Sequence, residues 1–351
     1  MIKHLFIFSL FLSITFSFAK GNDVTAQQVF ANIEWATKNG IVLEKIENVS
    51  FVDKAGTQKT GILEIIKQED GTLGVRVVNG TIALLEKVDK RKVYDLLNDI
   101  EKSTDLQDFV KAGKDFTKEW QILESYPSFR VQGTFVNKIT TILSKGHISE
   151  VDFTTILSVN KGLGKRATDL ANFLEDLDHF ALYQDRDGFG SIISGLKANW
   201  FNGAGADGAN WVIAVLRKEG ITVFDPAKTN FEVVENILGE TRRYDAIVGQ
   251  RGSGTEKYFE FKSYNKVPPT DFAKQFINDL NNANITDLKQ LEWLFDAAKN
   301  PADFINNMKN AIRNLDEDLI DQATVTKFGV QSKGDVKAKV LNSFDTVFKL
   351  K

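Results

Sequence analysis

Asp245, Glu260 and Lys262 stand out in this 351-residue chain as residues whose types and spacing suit chemistry. Glu260 and Lys262 sit two apart in "KYFEFKSY" (257–264), so on a strand they share one face, while Phe259, Phe261 and Ser263 share the other. Upstream runs a second strand-like stretch, "RRYDAIVG" (242–249), and the connector "QRGSGTE" has turn chemistry. A hairpin centred on Gly252 and Ser253 pairs residues whose numbers sum to 505, which sets Asp245 opposite Glu260. Cross-strand Cβ atoms lie about 5 Å apart. Two carboxylates that close repel unless a cation offsets them. Lys262 supplies part of that charge, and a hard divalent ion, Mg²⁺ or Mn²⁺, suits the oxygen donors of Asp245 and Glu260. Such a set is, in outline, a site for phosphodiester cleavage. The metal polarises a phosphoryl oxygen and activates a water. Lys262 orients or deprotonates that water and offsets charge in the transition state.

The elements that must hold these residues are legible. "ANWVIAVLRKEG" is an amphipathic helix stopped at Gly220. "FEVVENI" (231–237), "RRYDAIVG" and "KYFEFKSY" read as three short strands joined by turns. After Pro268 and Pro269, "DFAKQFINDLNNA", "DLKQLEWLFDAAK" and "PADFINNMKNAIRNL" carry helical spacing, as does a last stretch around 335–349. The expectation is an α+β fold. Residues 1–19 read as a signal peptide, with the uncharged run Leu5–Phe18 and small residues at Ser17 and Ala19. A secreted or periplasmic mature form without a membrane segment would follow. Residues 20–90 read as a small α/β segment, with a helix over 23–40 and hairpin turns at Asp70-Gly71 and Asn79-Gly80. Residues 91–195 read as a helical spacer, and 196–351 as the unit that carries the site.

Composition narrows the chemistry. There is no cysteine, which excludes disulfides and thiolate metal sites, and there are three histidines, of which His147 and His179 lie outside the leader. A net charge of −3 argues against a protein that coats nucleic acid along its whole surface. "DRDG" (185–188) lacks the remaining ligands of a calcium loop, and "GAGADG" lacks the Lys-Ser/Thr ending of a phosphate loop. Both read as turns.

Asp245, fourteen intervening residues, then Glu260-x-Lys262 resembles the PD-(D/E)xK signature of the restriction-endonuclease-like fold. "GANWVIAVL", "FEV", "RRYDAIVG", "YFEFKSY", "FAKQFINDL" and "DLKQLEWLF" are similar to nuclease domains of bacterial polymorphic toxins, and "EWQILESYPSFR" upstream resembles the helical segment that often precedes such domains. The resemblance implies a helix, a three-stranded meander and a further helix. It implies a metal-dependent nuclease toxin acting on DNA or RNA, with Mg²⁺ or Mn²⁺ held by Asp245 and Glu260, and a cognate immunity protein as partner. It makes Glu232 and Gln275 possible additional site residues, and Arg242, Arg243 and Lys274 candidate contacts to nucleic acid. Tyr244 stands where the signature writes proline, and the preceding helix offers Asn210 in place of a glutamate. Two competing expectations stand beside it: a surface pair of Glu260 and Lys262 with Asp245 also exposed, and, as a function, an exported envelope or adhesion-type binding protein.

Overall fold

The computed structural model describes residues 41–52, 58–67, 73–77, 84, 87, 88, 92–198, 204–299 and 303–351. The expected leader, the helix over 23–40 and the two hairpin turns lie outside the described residues. The chain divides into two units, 1–140 and 141–351. The site-bearing unit therefore begins well before residue 196, and the "spacer" helices from 141 onward belong to it.

In the first unit, β1 (Ile41–Val52), β2 (Gln58–Lys67) and β3 (Leu73–Val77) form an antiparallel sheet in that order. Helices follow at Val93–Lys102, Thr104–Lys111 and Thr117–Ile122. Within "EWQILESYPSFR", Trp120 is buried and its indole N–H donates to Asp99 at 2.9 Å. Arg130 pairs with the same carboxylate and lies over the Trp120 ring. This stretch is thus a packing knot of its own unit, a cation and an indole sharing one buried acid.

The second unit opens with α-helices Glu150–Val159, Ala167–Phe180, Phe189–Leu196 and Ala204–Glu219, here α1 to α4. Ser149 caps α1 by accepting from Asp152 N, and Gly220, at a φ of 74°, ends α4 where the sequence places its stop. The sheet then follows: β4 (Thr229–Ile237), β5 (Glu240–Val248), β6 (Lys257–Lys262), β7 (Leu291–Phe295) and β8 (Phe348–Leu350), paired in that order. β4, β5 and β6 are an antiparallel meander, whereas β6–β7 and β7–β8 run parallel. Helix α5 (Phe272–Asn281) makes the crossover that a parallel β6–β7 pair requires. Among the described residues no helix is long and apolar enough to cross a membrane.

Two apolar layers hold this sheet. Phe259 and Phe261 face Phe224, and Phe261 also meets Trp211 of α4. Tyr244, Ile247, Tyr258 and Trp293 face α5 and the C-terminal helices in one core with Phe272, Phe276 and Phe348. The meander and its flanking helices match the sequence reading. "LEWLF" does not, because it is β7 rather than helix. All five of its residues are buried, and a strand covered on both faces loses the alternation that would distinguish it from a buried helix.

Candidate active site

The β5–β6 register agrees with the sequence arithmetic. Ala246 pairs with Phe259, Ile247 with Tyr258 and Val248 with Lys257, each pair summing to 505. The ladder stops there. The next pair would be Asp245 and Glu260, but β5 leaves β6 at this row. The Asp245 carboxylate instead accepts a 2.6 Å hydrogen bond from Phe261 N. The expected side-by-side carboxylates are therefore replaced by a side chain that fills the fork between two diverging strands.

A break in alternation explains the fork. Tyr244 and Ile247 both join the core against α5, although they are three apart. On β4, Phe231 meets Phe180 and Tyr183, while Val233, two residues on, packs against the opposite core. Both breaks fall on one row, since β4–β5 pairs sum to 477 and skip only Glu232 and Asp245. Glu232 takes a φ of 54°, in the left-handed region that non-glycine residues seldom visit. Such strain persists where surrounding structure holds it, and it clusters at functional sites.

Glu260 and Lys262 lie on the α5 face. They are 1% and 7% exposed, so a surface pair is overturned. Lys262 Nζ is 2.7 Å from Glu260 Oε2, and Arg242 is 2.7 Å from Oε1. Arg242 also binds Asp279 of α5 at 2.7 Å, and Asp279 accepts from the Trp293 indole at 2.9 Å. Both Arg242 and Lys262 lie over aromatic rings, Tyr244 and Trp293 respectively. The result is a buried network of two carboxylates and two cations.

Electrostatics tie the two faces together. Burial, and then repulsion from Asp245, push the Glu260 carboxyl up to about 7, against the pull of Lys262 and Arg242. Burial and Asp245 also raise the Glu232 carboxyl, against Arg243 and Lys262. Burial works against the Lys262 ammonium, but Glu260 and Asp245 outweigh it and its pKa rises. Glu232, Asp245, Glu260 and Lys262 are thus one charge cluster although they open to different sides. Glu232 and Asp245 line a cleft of about 540 Å³ with Trp211, Phe261, Tyr264 and Lys299. Lys262 and Gln275 line a smaller pocket of about 240 Å³ on the other side.

The remaining expected residues divide. Arg243 is exposed at the site and pairs with Glu232 at 2.9 Å. Arg242 is buried and spent on Glu260 and Asp279, so it presents no cation to solvent. Lys274 is exposed on α5, pairs with Glu240 at 3.1 Å and lines neither pocket. Asp279 was not among the sequence candidates. Its signal was there: it falls on the apolar face of "FAKQFINDL", three residues after Phe276, where a charge needs a buried partner.

The carboxylates fit a hard divalent cation in chemistry. Asp245 raises two neighbouring carboxyls, and Glu260 Oε1 is buried without an aligned hydrogen bond despite its ion pair. Among the described residues no three His, Cys, Asp or Glu gather into a ready metal cage. Asp245 opens to the cleft while both Glu260 oxygens are paired with Lys262 and Arg242 on the α5 face, so an ion shared by the two carboxylates requires Glu260 to give up one of those cations. No protein-family model, no curated protein and no solved structure matches this chain.

Proposed function

We propose that the unit spanning 141–351 is a metal-dependent nuclease that hydrolyses phosphodiester bonds. One observation carries the reading: Asp245 occupies the fork between β5 and β6 in charge contact with both Glu260 and Lys262. The helix–meander–helix order around these residues supports the PD-(D/E)xK resemblance. A bound Mg²⁺ or Mn²⁺ would supply Lewis acidity and an activated water. Asp245 and Glu260 would hold it. Lys262, kept protonated by its carboxylates, lies on the other side of the sheet and acts through its field on Asp245 and Glu260, offsetting charge that develops in the cleft. Asp245 is half-buried and opens to the cleft, so substrate reaches this cluster from the side of Trp211. Export as a toxin, with an immunity protein covering the cleft, is the biological setting that the resemblance supports.

A second reading rests on the network itself. If Arg242 and Lys262 serve only to neutralise Glu260, the cluster is a structural clasp inside a binding protein. Plasmid DNA and RNA, incubated with full-length protein with and without Mg²⁺ and EDTA, separate the two. Cleavage that EDTA abolishes, and that Lys262→Met lowers by roughly 10²-fold in a folded variant, supports the nuclease. Methionine keeps the stem volume in a buried place. Cleavage unaltered in Lys262→Met would sink it.

A further inference from the structure

The cleft beside Asp245 has more apolar wall than a groove that only tracks phosphates needs. Trp211 stands nearly perpendicular to Phe261 at 6.0 Å and stays half-exposed. Tyr264, 55% exposed, lines the same cleft. Gly208 of α4 forms part of its wall, and a Cβ placed there would meet nothing within 4 Å, so the wall opens onto empty space. Lys299 contributes a cation to the lining. A volume of about 540 Å³ is of small-ligand size, the scale of one nucleotide rather than of a duplex. Aromatic side chains beside a basic group are the means by which unpaired bases are held, since every base has a face to stack. A paired base would first have to leave its helix, at an energetic cost a single strand largely escapes.

We propose that this cleft seats one unstacked nucleobase against Trp211 and Tyr264, its phosphate toward Lys299 and away from the carboxylates of Glu232 and Asp245 when no metal is bound, and that the substrate is therefore single-stranded nucleic acid. This rests on the nuclease reading of the same site and names its substrate class.

The test is binding without turnover. Full-length protein in EDTA is titrated with oligo(dT), oligo(U) and a short DNA duplex, following tryptophan fluorescence, with Trp211→Phe identifying the reporting indole. Both single strands quench Trp211 and bind more tightly than the duplex, and the better of the two identifies DNA or RNA. Tyr264→Ala and Gly208→Leu weaken single-strand binding by roughly 5- to 150-fold, the scale of one lost base stack, with unchanged melting. Tyr264 is exposed, so its variant folds even if the glycine replacement does not. Equal or tighter duplex binding, or single-strand binding unaffected by Tyr264→Ala, overturns the proposal. The two readings fail separately. Equal Mg²⁺-dependent cleavage of duplex and single strand removes this inference and leaves the nuclease. Selective quenching by single strands without cleavage of any substrate removes the nuclease and leaves the base site.

Discussion

Glu232 and Asp245 stand opposite one another on β4 and β5 at the row where both strands lose their alternation. The two carboxylates line the cleft, and each has a partner that holds it there. Arg243 pairs with Glu232, and Phe261 N donates to Asp245. A regular sheet would have sent Phe231 and Val233 to one side. The break lets one strand feed both cores and leaves two acids at the seam. A hairpin argument based on period two alone cannot anticipate this, because the fault lies in the period itself.

Asp245→Asn tests the charge coupling across that seam. Removing the negative charge takes away the second-largest influence raising the Glu260 carboxyl, and the same influence on Glu232. Both carboxyls should titrate lower in the variant, as followed by carboxyl-resolved NMR. Mg²⁺ affinity by calorimetry should fall in the same protein. Unmoved Glu232 and Glu260 titrations would show that the three groups are not one cluster.

Stability should depend on pH through Glu260. Its folded carboxyl is raised from 4.5 to about 7, so the folded state binds a proton that the unfolded state releases. The stability this contributes is complete below the ordinary carboxylate range and is lost as pH rises through about 7. Glu232 and Asp279, also raised, contribute in the same sense. Chemical denaturation at intervals from pH 4.5 to 8 should show the second unit weakening, and Glu260→Gln should flatten that slope. His179, whose imidazole pKa burial lowers, works in the opposite sense over the same range, so the comparison with Glu260→Gln decides: an unchanged slope in that variant would count against the buried network.

Much of this site was legible, and the failures have physical causes. The register of β5 on β6 followed from the turn and from arithmetic on residue numbers, because hairpins are local. The burial of Arg242, Glu260 and Lys262 was not legible, since it depends on α5 and β7, which arrive from 272 onward. A charged pair on a strand reads as solvated until something is known to cover it. β7 was misread for the related reason that a strand buried on both faces shows no alternation. The helices of 150–196 look self-contained in sequence because their partners, Phe224 and Phe231, lie far along the chain.

Arg242 and Arg243 are neighbours with opposite expected roles. Arg242→Ala strands Asp279 and removes one partner of Glu260 in the interior, so it should cost about 3–5 kcal/mol. Arg242→Lys should recover little, because one ammonium cannot reproduce a fork bonded to both acids. Arg243→Ala breaks an exposed pair and should change stability by less than about 1 kcal/mol. It should instead weaken nucleic-acid binding and flatten its salt dependence. Urea melts and salt titrations of the three variants check this. Equal melting midpoints for Arg242→Ala and Arg243→Ala would contradict the buried network.

The last prediction concerns where the folding unit begins. Tyr183 donates its hydroxyl to Phe224 O at 2.7 Å, and Phe180 and Tyr183 pack edge-on against Phe231. Phe231 N in turn donates to Asp187 O at 2.8 Å, which covers the free edge of β4. The turn "DRDG" is therefore the clasp between the helices and the sheet. Gly188 is its tightest point: its φ is 79°, and a Cβ there would come 2.3 Å from Phe231 O. A fragment of 141–351 should fold cooperatively, whereas 196–351 should expose Phe224 and Phe231 and lose its sharp transition. Gly188→Ala in the full chain should destabilise by more than about 1 kcal/mol, because neither the backbone angle nor the space suits alanine. Thermal unfolding followed by near-UV circular dichroism compares the three. A sharp, wild-type-like transition in 196–351 would refute the assignment of the upstream helices to this unit, and a neutral Gly188→Ala would refute the clasp.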